Sequence, residues 1–222
     1  MDICNTLYMG TPANQALDTP LTVEQRASMI EAATRKLAEF LEVLGIDHRG
    51  DPNTHDTPRR VARMYVNELL AGRFSPPPSI TEFDSVETSD ALIVTGPIEL
   101  RSTCAHHLMP IYGTAIIGIV PADGRVIGLS KYDRVVNHFG QRFQMQEELT
   151  RQIGDFLVDE TEPRGLAVRI RAVHMCKTHR GVLASRKSQM ISSAYYGELK
   201  ENVRLKEEFL QECHSLERDM DP

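Results

Sequence analysis

The sequence predicts an α+β domain built on an antiparallel sheet, preceded by N-terminal helices. Three observations carry this. Helical apolar periods dominate the first third of the chain, a Pro-rich connector follows at Ser75–Ser79, and short β-branched runs come after it. The order of helices, strands, helix, strand and tail does not alternate strand with helix, as a doubly wound parallel sheet requires.

Residues 1–20 hold Pro12 and Pro20 and no hydrophobic period, which predicts a mobile arm. Residues 21–74 form the helical part. Ile30, Ala33, Leu37, Phe40, Leu41 and Leu44 recur at three- and four-residue spacing, Thr22 with Gln25 fits a capping box, and Gly45 is a stop. A second helix opens with Asp56 or Thr57 as N-cap and Pro58 in its first turn, and places Val61, Met64, Tyr65 and Leu69 on one side until Gly72. From residue 80 onward, ALIVTGPIELRS, AIIGIVPADGRVIGLS and LAVRIRAVHMC read as strands, with the ADG turn predicting a hairpin inside the second. Between the last two, VVNHFGQRFQMQEELTRQIGDFLVDE keeps helical spacing through Val136, Phe139, Phe143, Leu149, Ile153 and Leu157. The tail from Glu198 to Asp219 repeats that spacing with Leu205, Phe209 and Leu216.

A chain of 222 residues suffices for one core, and its 41% apolar and 25% charged residues are those of a globular protein. The formal net charge of -6 argues against a general nucleic-acid binder, which needs a basic face to neutralise phosphates. No apolar run approaches the roughly 20 residues of a membrane span, and the first residues lack a signal-peptide pattern, so a cytoplasmic protein without membrane or nucleic-acid partners is expected. Four cysteines are too few and scattered for a disulfide scaffold. Cys4 and Cys213 lie in the terminal segments and are read as inert, whereas Cys104 and Cys176 sit beside histidines.

Those two surroundings carry the chemistry. STCAHH places Cys104 and His107 in a CxxH pair, and AVHMC adds His174 and Cys176. Thiolate and imidazole are zinc ligands, closing a structural site with four or leaving water a place at a catalytic one with three. Spacing alone leaves both open. His106, next to His107, points elsewhere on an extended chain, and a histidine beside a metal site is suited to moving protons. No Gly-rich phosphate loop is present, so any phosphate must be held by side chains such as Arg60, Lys131, Arg134 and Arg180. Glu147 is able to accept two hydrogen bonds from one heterocycle edge, of the kind guanine presents.

Taken together, these segments resemble the GTP cyclohydrolase I family from about Thr22 to about Gly197. DTPRRVARMYVNEL is similar to the family's TPxRVAxMYxEL helix and STCAHH to its STCEHH. IGLSKYDRVVNHFGQRFQMQEELT is similar to VGLSKxxRIVxxFxxRxQxQERLT, and AVHMCKTHRGV to xxHxCxxxRGV. The resemblance implies a tunnelling fold, an antiparallel sheet with helices on one side, spanning residues 80–222 with a C-terminal helical tail. It implies assembly into a homodecamer with active sites between subunits. Cys104, His107 and Cys176 become zinc ligands, and His106 and His174 an acid-base pair. Glu147 grips guanine, supported by Gln146 and the backbone near Leu129 and Ser130. Lys131, Arg134, Arg180 and an adjacent subunit's Arg60 bind the triphosphate. The implied reaction opens the imidazole ring of GTP with zinc-activated water, releases formate and recloses to 7,8-dihydroneopterin triphosphate.

The chain departs from the quoted motifs at Ala105, where the family has glutamate, at Glu148, where it has arginine, at Lys177-Thr178-His179, and after Ser185. Alongside full turnover of GTP, these departures raise two alternatives. One is a diverged paralogue that acts on dGTP or stops at the formamidopyrimidine nucleotide, and the other is a non-catalytic zinc-containing regulator.

Overall fold

A computed structural model describes residues 10–84, 91–122 and 125–218. Cys4, the first nine residues of the arm, and Asp123 and Gly124 of the expected hairpin turn lie outside the described residues. The chain divides into two compact units, Met1–Pro76 and Pro77–Pro222.

In the first unit, helix α1 (Val23–Val43) opens on the expected capping box, Thr22 accepting from the Gln25 backbone while the Gln25 side chain accepts from Thr22 N–H. Gly45, at φ 74, takes the left-handed turn that ends it. Helix α2 (Thr57–Met64) carries Pro58 in its first turn and passes into a π-helical turn at Tyr65–Leu69 and the short α3 (Ala71–Phe74). Pro58, Ala62 and Val66, at four-residue spacing, are buried together with Gly72 and Phe74, whereas Val61 and Leu69 of the expected stripe are only half-buried. Leu21, Val66 and Phe74 form a small core with Leu17, Met29, Ile30 and Leu70. The described part of the N-terminal arm is tied to α3, Leu17 N–H donating to Arg73 O at 3.0 Å and Leu21 N–H to Phe74 O at 3.2 Å. Helix α1 buries no residue completely, and Phe40, Val43 and Leu44 are 56%, 86% and 57% exposed.

The second unit holds two sheets. The large one has five strands in the order β5-β2-β3-β6-β7: β2 (Ile93–Cys104), β3 (Pro110–Val120), β5 (Phe143–Gln144), β6 (Gly165–His174) and β7 (Met190–Gly197). Its four long strands are antiparallel, and β5 joins β2 in parallel over two residues. The small sheet pairs β1 (Glu82–Asp84) with β4 (Arg125–Ile127). The hairpin expected within AIIGIVPADGRVIGLS is therefore absent: both edges of β3 are taken by β2 and β6, and the chain beyond Val120 pairs elsewhere.

Strand β3 is buried from Thr114 to Val120 because both of its faces are covered. Ala115, Ile117 and Ile119 face helices α4 (Leu129–Gly140) and α5 (Gln146–Thr161) in the main core, with Leu100, Val135, Val136, Leu149, Ile153 and Ile170. Ile116 and Val120 point the other way, into a second core with Ala167, Leu199, Phe209 and Cys213. Leu199 comes from α7 (Glu198–Glu201) and the last two from α8 (Val203–Arg218), so the tail adds a helix to the face opposite α4 and α5. Gly118 permits this approach, since a Cβ there would collide with the Phe209 ring. The Arg169–Glu217 pair, Nε to Oε1 at 3.1 Å with side chains 10% and 12% exposed, fixes α8 on that face.

The long helical segment expected from Val135 to Glu160 is broken into α4 and α5 by β5. Gly140 packs against the Arg101 carbonyl, and Gln144 turns inward, its amide donating to Phe139 O at 2.8 Å and to Gln152 Oε1 at 2.9 Å. Strand pairing with β2 overrides helical period here. Among the described residues no helix is long and apolar enough to cross a membrane.

One buried base makes this core sensitive to acid. His138 on α4 accepts at Nε2 from Arg142 Nη2 at 2.8 Å, and the Arg142 guanidinium lies 4.5 Å from the centre of the Phe139 ring. Burial first, and the Arg142 charge second, pull the imidazole down to about 4. The unfolded histidine takes its proton near the ordinary value of about 6.5, so between these values the unfolded state holds more protons. Stability is complete above that window and falls with pH through it. Denaturant melts at pH 4.5 and 7.5 check this: His138→Gln, which keeps an acceptor for Arg142, is expected to remove about 2–3 kcal/mol of the acid-induced loss.

Candidate metal and catalytic site

The site is set by strand register. Strand β2 is antiparallel to β3 and β3 to β6, so β2 and β6 run the same way on either side of β3. Ser102, Ile111 and His174 share one row of the sheet. Cys104 and Cys176 each lie two residues beyond that row, past the start of β3 at Pro110. The regular ladder ends there, where Cys104 N–H still donates to Met109 O and Cys176 enters a helical turn, so neither side chain is held to the two strand spacings, about 9.6 Å, of the sheet proper. Leu100, Cys104, Ile170 and Ala172 belong to the core beneath α4 and α5, so the convergence falls on the helix-covered face.

The chain after Cys104 folds back at once. Leu108 N–H donates to Cys104 O at 2.9 Å, Cys104 N–H to Met109 O at 2.8 Å, and Ala105 N–H to Gln144 O at 3.0 Å, with Leu108 in the left-handed region at φ 52. This tight turn swings His107 to the two cysteines. Cys176 sits in a single helical turn, α6 (Met175–Thr178), directly after β6. One ligand atom from each of Cys104, His107 and Cys176 lies within 4.8 Å of the others, and among the described residues no fourth histidine, cysteine or carboxylate joins them. The His106 ring stands at 88° to that of His107, with centroids 6.2 Å apart, so the two adjacent imidazoles face different directions.

The donor set fits zinc. Tetrahedral coordination with Zn–S of about 2.3 Å puts ligand sulfurs roughly 3.8 Å apart, within the 4.8 Å that bounds the ligand atoms here, and three ligands leave one position for water. Electrostatics points the same way. Burial pushes the Cys176 thiol up, and the neighbouring Cys104 sulfur pushes it further, while the Arg180 charge opposes them. Two thiolates this close repel unless a cation lies between them.

Beside the ligands, His174 and Gln146 meet. His174 Nε2 is 2.8 Å from Gln146 Oε1. The Gln146 amide nitrogen donates to Ile170 O at 3.2 Å, Met190 O at 3.1 Å and Ser192 Oγ at 3.0 Å, and Thr150 Oγ1 lies 2.7 Å from Ser192 Oγ. Burial pulls the His174 imidazole below its ordinary range. The Glu147 carboxylate opposes this and Lys177 reinforces it, which puts both charges within electrostatic reach of the ring. Glu147 itself is exposed in the first turn of α5.

The remaining sequence candidates take separate places. Leu129 and Ser130 form the exposed first turn of α4, where backbone N–H groups have no intrahelical acceptor. Lys131, one residue on, donates its ammonium to Ser79 O at 2.6 Å, and Arg134 is exposed one turn later. Arg180 is exposed and acts on Cys176 through its charge. Arg60 belongs to the N-terminal unit, exposed on α2 with Nη2 3.6 Å from Asp56 Oδ2. The sequence reading missed what the Gln146 side chain does. Gln144 and Gln146 are both fully buried on either side of exposed Met145, a period-2 pattern that signals extended chain and inward amides.

Comparison with known proteins identifies the family. The family model described as GTP cyclohydrolase I matches residues 33–214. The GTP cyclohydrolase 1 of Shewanella oneidensis is 38% identical over 204 residues, covering 89% of this chain and 92% of that protein. That of Carboxydothermus hydrogenoformans is 43% identical over 168 residues, covering 76% and 84%. Among solved structures, an archaeosine synthase QueF-Like in the apo form is 13% identical with a TM-score of 0.38, covering 50% of this chain and 97% of that one.

Replacing one thiol tests the ligand set. In Cys176→Ser, zinc affinity read by chelator competition is expected to fall by at least about 100-fold, with the far-UV spectrum unchanged, because the side chain stands at the sheet's end. A variant that keeps zinc at full affinity would remove Cys176 from the set. The family match over most of the chain and the convergence of both Cys-His segments at one end of the sheet lead to one conclusion: the chain belongs to the GTP cyclohydrolase I family of enzymes.

Proposed function

We propose that the protein hydrolyses the imidazole ring of GTP, releases formate and yields 7,8-dihydroneopterin triphosphate. The observation that carries this reading is the three-ligand Cys104-His107-Cys176 group, open to a fourth ligand, with His174 held beside it. When bound, zinc supplies a Lewis acid that activates water at neutral pH.

The chain's own groups supply the rest. Glu147, a carboxylate at the mouth of the site, accepts from the ring N–H and the exocyclic amino group of guanine, a paired recognition that neither adenine nor a pyrimidine reproduces. The free N–H groups of the α4 first turn at Leu129 and Ser130 meet the base's oxygen. Lys131, Arg134 and Arg180 hold the triphosphate, joined by Arg60 from another copy, and so aim the purine at the ligand cluster. His106 and His174 move protons to and from the opening ring. Assembly between copies, a homodecamer in this reading, is supported by the exposed Phe40, Val43 and Leu44 at the end of α1 and by β7 as an outer strand of the large sheet.

One observation favours a second outcome for the same site. Ala105 keeps its backbone bond to Gln144 O but ends in a methyl group, so the carboxylate of the family motif is missing where later protons must be moved. In that case the reaction halts at the formamidopyrimidine nucleotide, on GTP or dGTP. Incubation of the zinc-loaded protein with GTP separates the two: formate together with pterin fluorescence supports full turnover, and accumulation of a formamidopyrimidine without formate supports arrest. Neither product would contradict both. Glu147→Gln is expected to raise KM for GTP by about 10–100-fold, the loss of a charge-assisted pair, measured by steady-state kinetics. His174→Ala is expected to abolish turnover while keeping one zinc per chain.

A further inference from the structure

We infer that Gln146 is a positioning residue that fixes both the tautomer and the orientation of His174. The inference rests on the functional reading above, and its observations are geometric. The amide nitrogen of Gln146 faces two backbone carbonyls, Ile170 O and Met190 O, which only accept. That settles which end of the amide is nitrogen, and so its oxygen is the atom 2.8 Å from His174 Nε2. A carbonyl oxygen only accepts, so Nε2 carries the hydrogen and donates it. In the neutral ring, Nδ1 is then the nitrogen with the lone pair, and the bond to Gln146 holds it away from α5.

The anchor is rigid. Gln146 is fully buried, its amide bridges β6 and β7 through their carbonyls, and the Ser192 hydroxyl, itself paired with Thr150, supplies a further acceptor. Rotation of the amide would set its oxygen against two carbonyls and leave buried groups unpaired, so the opposite tautomer is disfavoured by the whole network. With its oxygen and nitrogen spent in this way, the Gln146 side chain serves His174, and contact with a purine is left to its neighbour Glu147. His174 therefore meets the substrate with Nδ1 alone.

The test reads the tautomer directly. Nitrogen-15 spectra of histidine-labelled, zinc-loaded protein at mildly alkaline pH, assigned with His174→Asn, are expected to show a protonated Nε2 and a bare Nδ1 for His174. A protonated Nδ1 overturns the inference even where GTP is turned over, and the functional reading then stands without it. Absence of turnover sinks that reading while the spectrum still decides the tautomer. Kinetics adds a second readout. Gln146→Met, close in size but unable to accept, is expected to lose about 100-fold or more in kcat, with KM for GTP within about threefold and zinc content unchanged. Gln146→Glu, which restores an acceptor at Nε2, is expected to recover at least a tenth of wild-type kcat. Equal kcat in the Met variant and wild type would overturn the role.

Discussion

The site depends on one feature of register, the start of β3 at Pro110, one row short of Cys104. Two parallel-running strands with a third between them hold their side chains two spacings apart for as long as that third strand lasts. Where the regular ladder gives way to the turn at Leu108 and the helical turn at Cys176, residues at the ends of β2 and β6 are able to face each other. The fold therefore produces a cluster of soft ligands at a strand end without a dedicated loop.

Around that end, each layer has a separate duty. The main core fixes α4 and α5 on one face, the end of α4 packing at Gly140 against Arg101 of β2 and the first turn of α5 meeting His174 through Gln146. Strand β5 is the joint between them: pairing with Thr103 and Cys104 in parallel, it anchors the ligand turn through Ala105 and turns the chain so that Gln146 points inward and Glu147 outward. Consecutive residues thus have opposed roles, one committed to a histidine and one free for a ligand. The second core, under α8, stiffens the far end of β3 and β6 and takes no part in the chemistry.

Much of this was legible in the sequence, and the failures have physical causes. The capping box at Thr22, Pro58 in the opening turn of α2 and the strand runs follow from local chemistry, whereas the choice of Cys104, His107 and Cys176 as a set, and the residue roles, came from the family motifs. The ADG turn misled because a hairpin needs a free strand edge, and β3 has none. The single long helix misled because helical spacing is nearly preserved across Gly140–Met145, while a two-residue strand pairing wins there. The stripe of α1 was read correctly as apolar, yet Phe40 and Leu44 stay uncovered, something no periodicity reveals. The partner of His174 was invisible because Gln146 and His174 lie far apart in sequence and meet only after β6 and α5 pack.

The central claim is an open three-ligand zinc centre at the strand ends. X-ray absorption at the zinc edge of the loaded protein tests it most directly. The account predicts two sulfur scatterers at about 2.3 Å, two lighter scatterers at about 2.0–2.1 Å, and outer-shell scattering of a single imidazole. The outer-shell signal of two imidazoles, closing the site with His106 or His174, would contradict it.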